Sequence, residues 1–371
     1  MRWENQRVIA AEHEALPLDL PRPDAVDAGT GRAGLAEPSA EAIAPGTDEA
    51  LAIEIRAKSI INRVPGGSHV PFRWTVNPYR GCAHACVYCF ARRSHEYLEL
   101  DSGHDFDSKI VVKVNAGELV RRELASPKWT GEPVAMGTNT DPYQRAEGRY
   151  RLMPRILTAL RDRANPFSIL TKGTLILRDL ELISQAARRA EVSVAVSIGS
   201  VDEELWRDVE PGTPSPRRRL DVVRRFAEAG VGCSVLMAPI LPGLSDAPQQ
   251  LEETVAALAG AGASDVTPLM LHLRPGAREW YRAWLQRRHP HLVPLYARLY
   301  GAGSYPSKTY SDEVLALVDE AKRRHGPTTH DTASGSRNST AERPAERTRR
   351  QHQLSLFGDE TASTTPPSSA Y

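Results

Sequence analysis

Residues 77–90 read Asn77-Pro78-Tyr79-Arg80-Gly81-Cys82-Ala83-His84-Ala85-Cys86-Val87-Tyr88-Cys89-Phe90. Three of the four cysteines in this 371-residue chain fall within these positions, in C-x3-C-x2-C spacing. That is not a disulfide framework, and a chain of this length needs none. Clustered thiols in a reducing compartment read as metal ligands. An apolar run at 72–76 directly precedes them, so the thiols sit on a loop leaving a strand, where βα folds place functional groups. Three thiolates bind three irons of a 4Fe–4S cubane and leave the fourth open. An open iron can chelate the amino and carboxylate groups of S-adenosylmethionine (SAM), and one electron then releases a 5′-deoxyadenosyl radical. Zinc held by the three thiolates and His84 or His95 satisfies the same spacing.

Outward from the loop, apolar strand-like runs alternate with helical ones. Strands are expected at 72–76, 134–138, 167–171, 192–198, 232–238 and 265–273, with helices at 151–163, 175–190, 217–230 and 247–261. Gly230 and Gly262 stand where helix C-caps belong. This alternation implies an α/β fold with a parallel sheet and crossover helices. Six strands are too few for a closed eight-fold barrel, so a partial (βα)6 TIM-like barrel is expected over 51–275. Helices near 278–288, 295–300 and 312–324 form a C-terminal extension over 276–325. Cys233 lies in the apolar stretch Cys233-Ser234-Val235-Leu236-Met237 and reads as a small core residue.

The termini differ from this middle. Residues 1–50 carry four basic and ten acidic side chains, and 326–371 carry five of each; the remaining +7 of the overall +1 falls on 51–325. A basic centre fits a polyanionic substrate such as nucleic acid, although many cytosolic enzymes carry a similar excess. Most of 1–50 and all of 326–371 are too poor in large apolar residues to offset chain entropy, and disorder is expected there. The first residues contain no apolar signal-peptide core and no stretch is long enough to span a membrane, so the cytoplasm is the expected location.

The motif NPYRGCAHACVYCFARR resembles the radical SAM family that includes spore photoproduct lyase and its photolyase-like relatives. The resemblance continues at 137–144 (GTNTDPYQ), 170–173 (LTKG), 177–180 (LRDL), 210–216 (EPGTPSP) and 238–244 (APILPGL). It implies a radical SAM enzyme with a 4Fe–4S cluster on Cys82, Cys86 and Cys89. It further implies SAM contacts at Asn139, Lys172 and Ser197, with the Tyr88 ring meeting the adenine. An electron donor such as flavodoxin or ferredoxin follows from the same chemistry. The chain departs from the lyase in two places. Thr138-Asn139-Thr140-Asp141 has no cysteine where the lyase keeps its hydrogen donor, and Phe90 stands where the lyase has a tyrosine. The expected role is therefore repair or modification of nucleic acid by a reaction other than the lyase's. A peptide or small-metabolite substrate, and a non-enzymatic metal-binding module, remain the alternatives.

Two further features complete the reading. Arg217-Arg218-Arg219 and Arg224-Arg225 share one expected helix, and Arg287-Arg288 stand near Trp280, Tyr281 and Trp284. The simplest account is a solvated helix face above core tryptophans. In the C-terminal tail, Gln353-Leu354-Ser355-Leu356-Phe357 is an apolar knot in a polar segment. It resembles the pentapeptide by which bacterial repair and replication proteins bind the DNA sliding clamp, with Gln353, Leu354, Leu356 and Phe357 as contacts.

Overall fold

The computed structural model describes residues 50–65 and 70–326. The expected N-terminal and C-terminal disordered segments, and the 353–357 motif, lie outside the described residues apart from Ala50 and Gly326 at their edges. The chain forms a seven-stranded sheet in which six strands run parallel. They are β3 (Trp74–Val76), β6 (Val134–Met136), β7 (Phe167–Thr171), β8 (Val192–Ser197), β9 (Cys233–Ile240) and β10 (Val266–Met270), adjacent in that order. The seventh, β2 (Ile61–Arg63), pairs antiparallel with β3 at one edge, leaving β2 and β10 as the two ends of an open sheet. Each of the six expected strands is present, and in sequence order.

Alternation along the strands explains the packing. Phe167, Ile169 and Thr171 of β7 are buried while Ser168 and Leu170 are half-buried; β9 repeats the pattern with Cys233, Val235 and Met237. The crossover helices are α4 (Leu152–Asp162), α5 (Leu180–Ala187), α7 (Pro216–Glu228) and α8 (Pro248–Gly260). They bury one face each, for example Ile156 and Leu160, Val222 and Phe226, and Leu251 and Leu258. Each such side chain stabilises the fold by roughly 1.5–3 kcal/mol. Ser215 caps α7 by accepting from the Arg218 N–H, with Pro216 in the first turn. Gly230 and Gly262 follow α7 and α8 at φ +70° and +83°, as their C-cap reading requires.

Helix α11 (Lys308–His325) packs on α8 and β10 and buries Val314, Val318 and Ala321 in the main core. Helices α9 (Ala277–Arg288) and α10 (Val293–Tyr300) share a second core, where Tyr281, Trp284, Leu285 and Tyr296 meet Val87 and Leu241. Tyr281 and Trp284 are thus core residues, as expected, and Arg217, Arg218, Arg224 and Arg225 are exposed. Arg219 is the exception, being almost wholly buried.

A second sheet was not foreseen. Strand β1 (Leu51–Ile55) runs parallel to β5 (Lys109–Lys113), which pairs antiparallel with β4 (Tyr79–Arg80). Helix α2 (Ala116–Leu124) follows β5. The Asn115 side chain bonds both the N–H and the carbonyl of Ala57, and Glu123 accepts from the N–H groups of Ile60 and Ile61. The sheet braces the back of the cysteine loop, because β4 leads straight into it. Among the described residues no helix is long and apolar enough to cross a membrane.

Candidate active site

The cysteine loop is shaped by backbone that only certain residues tolerate. Gly81 has φ +77°, and a Cβ there would stand 2.7 Å from the Lys109 carbonyl oxygen. Three distant segments then hold the loop. The Cys82 N–H donates to the Phe106 carbonyl at 2.9 Å. The buried Gln144 amide accepts from the Ala83 N–H at 3.1 Å and donates to the Gly81 carbonyl at 3.0 Å. Val87 N–H donates to Val209, and Gly212 N–H to His84, both at 3.1 Å. A Cβ on Gly212 would stand 2.1 Å from the Ala83 carbonyl oxygen. Arg92, fully buried on the 3-10 helix Phe90–Leu98, donates to the carbonyls of Cys86 and Gly103 and pairs with Asp107 at 2.9 Å. Its guanidinium lies 4.6 Å from the Trp280 ring centre.

Cys82 and Cys86 are buried and Cys89 is half-buried; none forms a disulfide. Burial pushes all three thiols up, and neighbouring negative groups, the other thiols among them, push Cys82 and Cys86 further. Three thiolates are stable in such a place only with a compensating positive centre, which iron supplies. Each histidine weighed as a fourth ligand has one ring nitrogen engaged, and His95 Nδ1 is buried without a hydrogen-bond partner. His84 Nδ1 lies 3.5 Å from Asp141, and His95 Nε2 meets the Lys109 carbonyl at 3.0 Å. Among the described residues no group of three or more His, Cys, Asp and Glu side chains converges on a single ion. Thiolates around a cubane need not converge, because each binds its own iron. The donor set therefore fits a cluster with one iron left open. Cys233 begins β9 opposite Val194, in the main core, at the strand end away from Ser197 and the loop.

Beside the loop lies a buried polar network. Lys172, directly after β7, donates to Ser197 Oγ at 2.7 Å and pairs with Glu210 at 3.0 Å. Glu210 also accepts from the Tyr88 hydroxyl and from Arg219 at 2.5 Å, and Arg219 donates to the Ser197 carbonyl at 2.8 Å. Burial alone would raise the Glu210 carboxyl, but Arg219, Lys172 and the Tyr88 hydroxyl outweigh it and hold it at about 2. Asp141 fastens the loop after β6 by accepting from the Tyr143 N–H, the Thr171 hydroxyl and the Lys172 N–H. A small cleft opens against Tyr88 and Glu210, walled by Gly199, Ser200, Pro239 and Leu241.

The structure thus gathers Tyr88, Lys172 and Ser197 beside the thiol loop. Asn139 sits half-buried after β6, and its side chain makes no hydrogen bond among the described residues. Sequence reasoning assigned no role to Glu210, Gln144 or Arg92, and it placed Arg219 on a solvated helix face. The signal at Arg219 was its place at the end of a basic run behind Pro216, which reads as a solvated face. Only the tertiary structure shows that the third arginine turns inward.

A parallel α/β sheet with this thiol loop at its C-terminal edge defines a radical SAM enzyme. The match to the Radical SAM superfamily spans residues 76–258, and the chain belongs to that superfamily. An uncharacterized protein of Mycobacterium tuberculosis is 48% identical over 318 residues, covering 86% of this chain and 91% of its own. An uncharacterized protein of Methanocaldococcus jannaschii is 31% identical over 204 residues, 54% of this chain and 72% of its own. Among solved structures, spore photoproduct lyase complexed with dinucleoside spore photoproduct shares the fold at TM-score 0.52. It is 16% identical and covers 74% of this chain and 80% of the lyase. A lyase variant with bound AdoMet and dinucleoside spore photoproduct gives the same score at 17% identity, covering 74% of this chain and 79% of that one. At such identity the likeness is one of fold.

Proposed function

We propose that Cys82, Cys86 and Cys89 hold a 4Fe–4S cluster, that SAM binds its open iron, and that the substrate is nucleic acid undergoing repair or modification. When bound, cluster and SAM together supply a 5′-deoxyadenosyl radical. The chain's own residues bind and orient. Lys172 and Ser197 offer an ammonium and a hydroxyl to the SAM carboxylate, and Asn139 offers an amide to the ribose or carboxylate. Tyr88 presents its ring to the adenine while Glu210 holds its hydroxyl. The second core, with Tyr281, Trp284 and Val87, keeps water from one side of the loop. The observation that carries this reading is the convergence of the three thiols with Tyr88, Lys172 and Ser197 at one edge of the sheet. Three free thiols suit the reducing cytoplasm, where a flavodoxin or ferredoxin would supply the electron.

Lys172→Ala tests the cofactor assignment. A desolvated, charge-assisted contact is worth roughly 1.5–3 kcal/mol, so SAM affinity should fall about tenfold to a hundredfold. Iron content should stay unchanged. An unaltered SAM titration removes Lys172 from the site.

Support for nucleic acid comes from the +7 charge of 51–325 and from the dinucleoside ligand of the lyase that shares the fold. A third support is the proposed clamp contact through Gln353, Leu354, Leu356 and Phe357. Two apolar anchors at about 1.5–3 kcal/mol each, less the cost of ordering a tail, give only micromolar affinity. A 349–360 peptide should bind a purified bacterial sliding clamp in that range, and replacing Leu356 and Phe357 with alanine should abolish it. No binding at high micromolar concentration ends the clamp proposal.

A further inference from the structure

Arg92 stands three residues after Cys89, on the 3-10 helix that leaves the thiol loop. Its side chain is fully buried. Two aromatic rings flank it, with the guanidinium 4.6 Å from the ring centre of Trp280 and 5.3 Å from that of Phe106. It donates to the Cys86 carbonyl at 3.0 Å, the Gly103 carbonyl at 2.9 Å and the Asp107 carboxylate at 2.9 Å. A cation is thus bonded directly to the backbone of one proposed cluster ligand.

A buried arginine can serve merely to satisfy carbonyls. A neutral amide would do that without the heavy cost of taking a charge out of water. The hydrogen bonding here is also incomplete, since Arg92 Nε and Asp107 Oδ1 are both buried without a partner. A pair selected for its hydrogen bonds would use those atoms. What the pair retains in full is charge. Burial leaves little water to screen it, so each charge acts more strongly on its surroundings than it would at the surface. Reducing an iron–sulfur cluster adds negative charge, and the net charge around the cluster is one of the quantities that set its reduction potential.

We propose that Arg92 raises the reduction potential of the cluster held by Cys82, Cys86 and Cys89, and that Asp107 limits the rise. The pair thereby sets how readily one electron passes to the cluster from a reduced donor of the flavodoxin or ferredoxin class. The donor is oxidised by that one electron, and no bond forms or breaks in the step. This deepens the cluster reading above and rests on it.

The test is a dye-mediated potentiometric titration of the full-length, anaerobically reconstituted protein, read by electron paramagnetic resonance of the reduced state. It is run without SAM at about pH 8, where Asp107, held at about 6, is ionised. Arg92→Gln should lower the midpoint and Asp107→Asn should raise it, each changing the reduction equilibrium roughly tenfold, or about 59 mV for a one-electron couple. Arg92→Gln combined with Asp107→Asn should return close to wild type, because the two charges leave together. A pair that only props the loop would shift both single variants the same way or not at all, and either result overturns the proposal. Iron content is measured on the same samples. Should one single variant lose its iron, the sign of the other's shift decides. If both lose it while wild type keeps it, the pair is a structural prop and the proposal falls. If wild type takes up no cluster on reconstitution, the cluster reading fails and this inference with it.

Discussion

Cys82→Ala, Cys86→Ala and Cys89→Ala should each reduce SAM cleavage to background. Reconstituted wild type should carry about four irons per chain, since three thiolates and one SAM-binding iron complete a cubane. Removing one thiolate leaves an iron without its protein ligand. Cys233→Ser is the control. Its sulfur lies in the main core, far along β9 from the loop, so iron content and SAM cleavage should persist with at most a modest loss of stability. The measurements are iron and sulfide analysis after anaerobic reconstitution, and 5′-deoxyadenosine released after reduction. One tightly held zinc per chain with no SAM cleavage would sink the cluster assignment.

Glu210→Gln should produce the largest change in stability. Arg219 is buried, Lys172 is half-buried with its side chain 14% exposed, and the two share this one carboxylate. Removing its charge leaves two cations with only neutral partners there, and breaking a buried pair typically costs 3–5 kcal/mol. The pH dependence gives a separate handle. Glu210 sits at about 2 in the fold, below its ordinary 4.5. Its contribution is therefore present above pH 4.5 and is lost as pH falls toward 2, amounting to about 3 kcal/mol. Urea unfolding of the metal-free chain should show that acid loss in wild type and a flatter limb in Glu210→Gln. Asp107 acts in the opposite sense: burial lifts it to about 6 despite Arg92, so its ionisation costs stability as pH rises from about 4 to 6. That lies above most of the window read for Glu210. Identical acid limbs in the two proteins would remove Glu210 from the network.

The parallel sheet was legible because its strands are apolar runs separated by helices with clear ends. Ser215-Pro216 opens one helix, and Gly230 closes it. The cysteine loop was legible because three closely spaced thiols stand out in a chain with only four cysteines. The smaller sheet was not. Strands β1 and β5 are five residues each, and what joins them is a parallel pairing across more than fifty residues, which no local pattern announces. Arginines misled for another reason. Charge in a sequence reads as surface, and Arg92 and Arg219 are buried only because carbonyls and carboxylates from distant segments meet them. Lys172 and Ser197 were singled out by their places at strand ends and by resemblance, whereas the carboxylate that joins them to Tyr88 is visible only in three dimensions.

The lacing of the cysteine loop bears on how this enzyme would survive oxygen. Phe106, Gln144, Val209 and Gly212 hold the loop through hydrogen bonds that involve no iron. On the proposed cluster reading, a chain stripped of metal by oxidation should keep these loop contacts. On that reading, reloading would call for iron and sulfide rather than refolding, and one polypeptide would outlast many clusters.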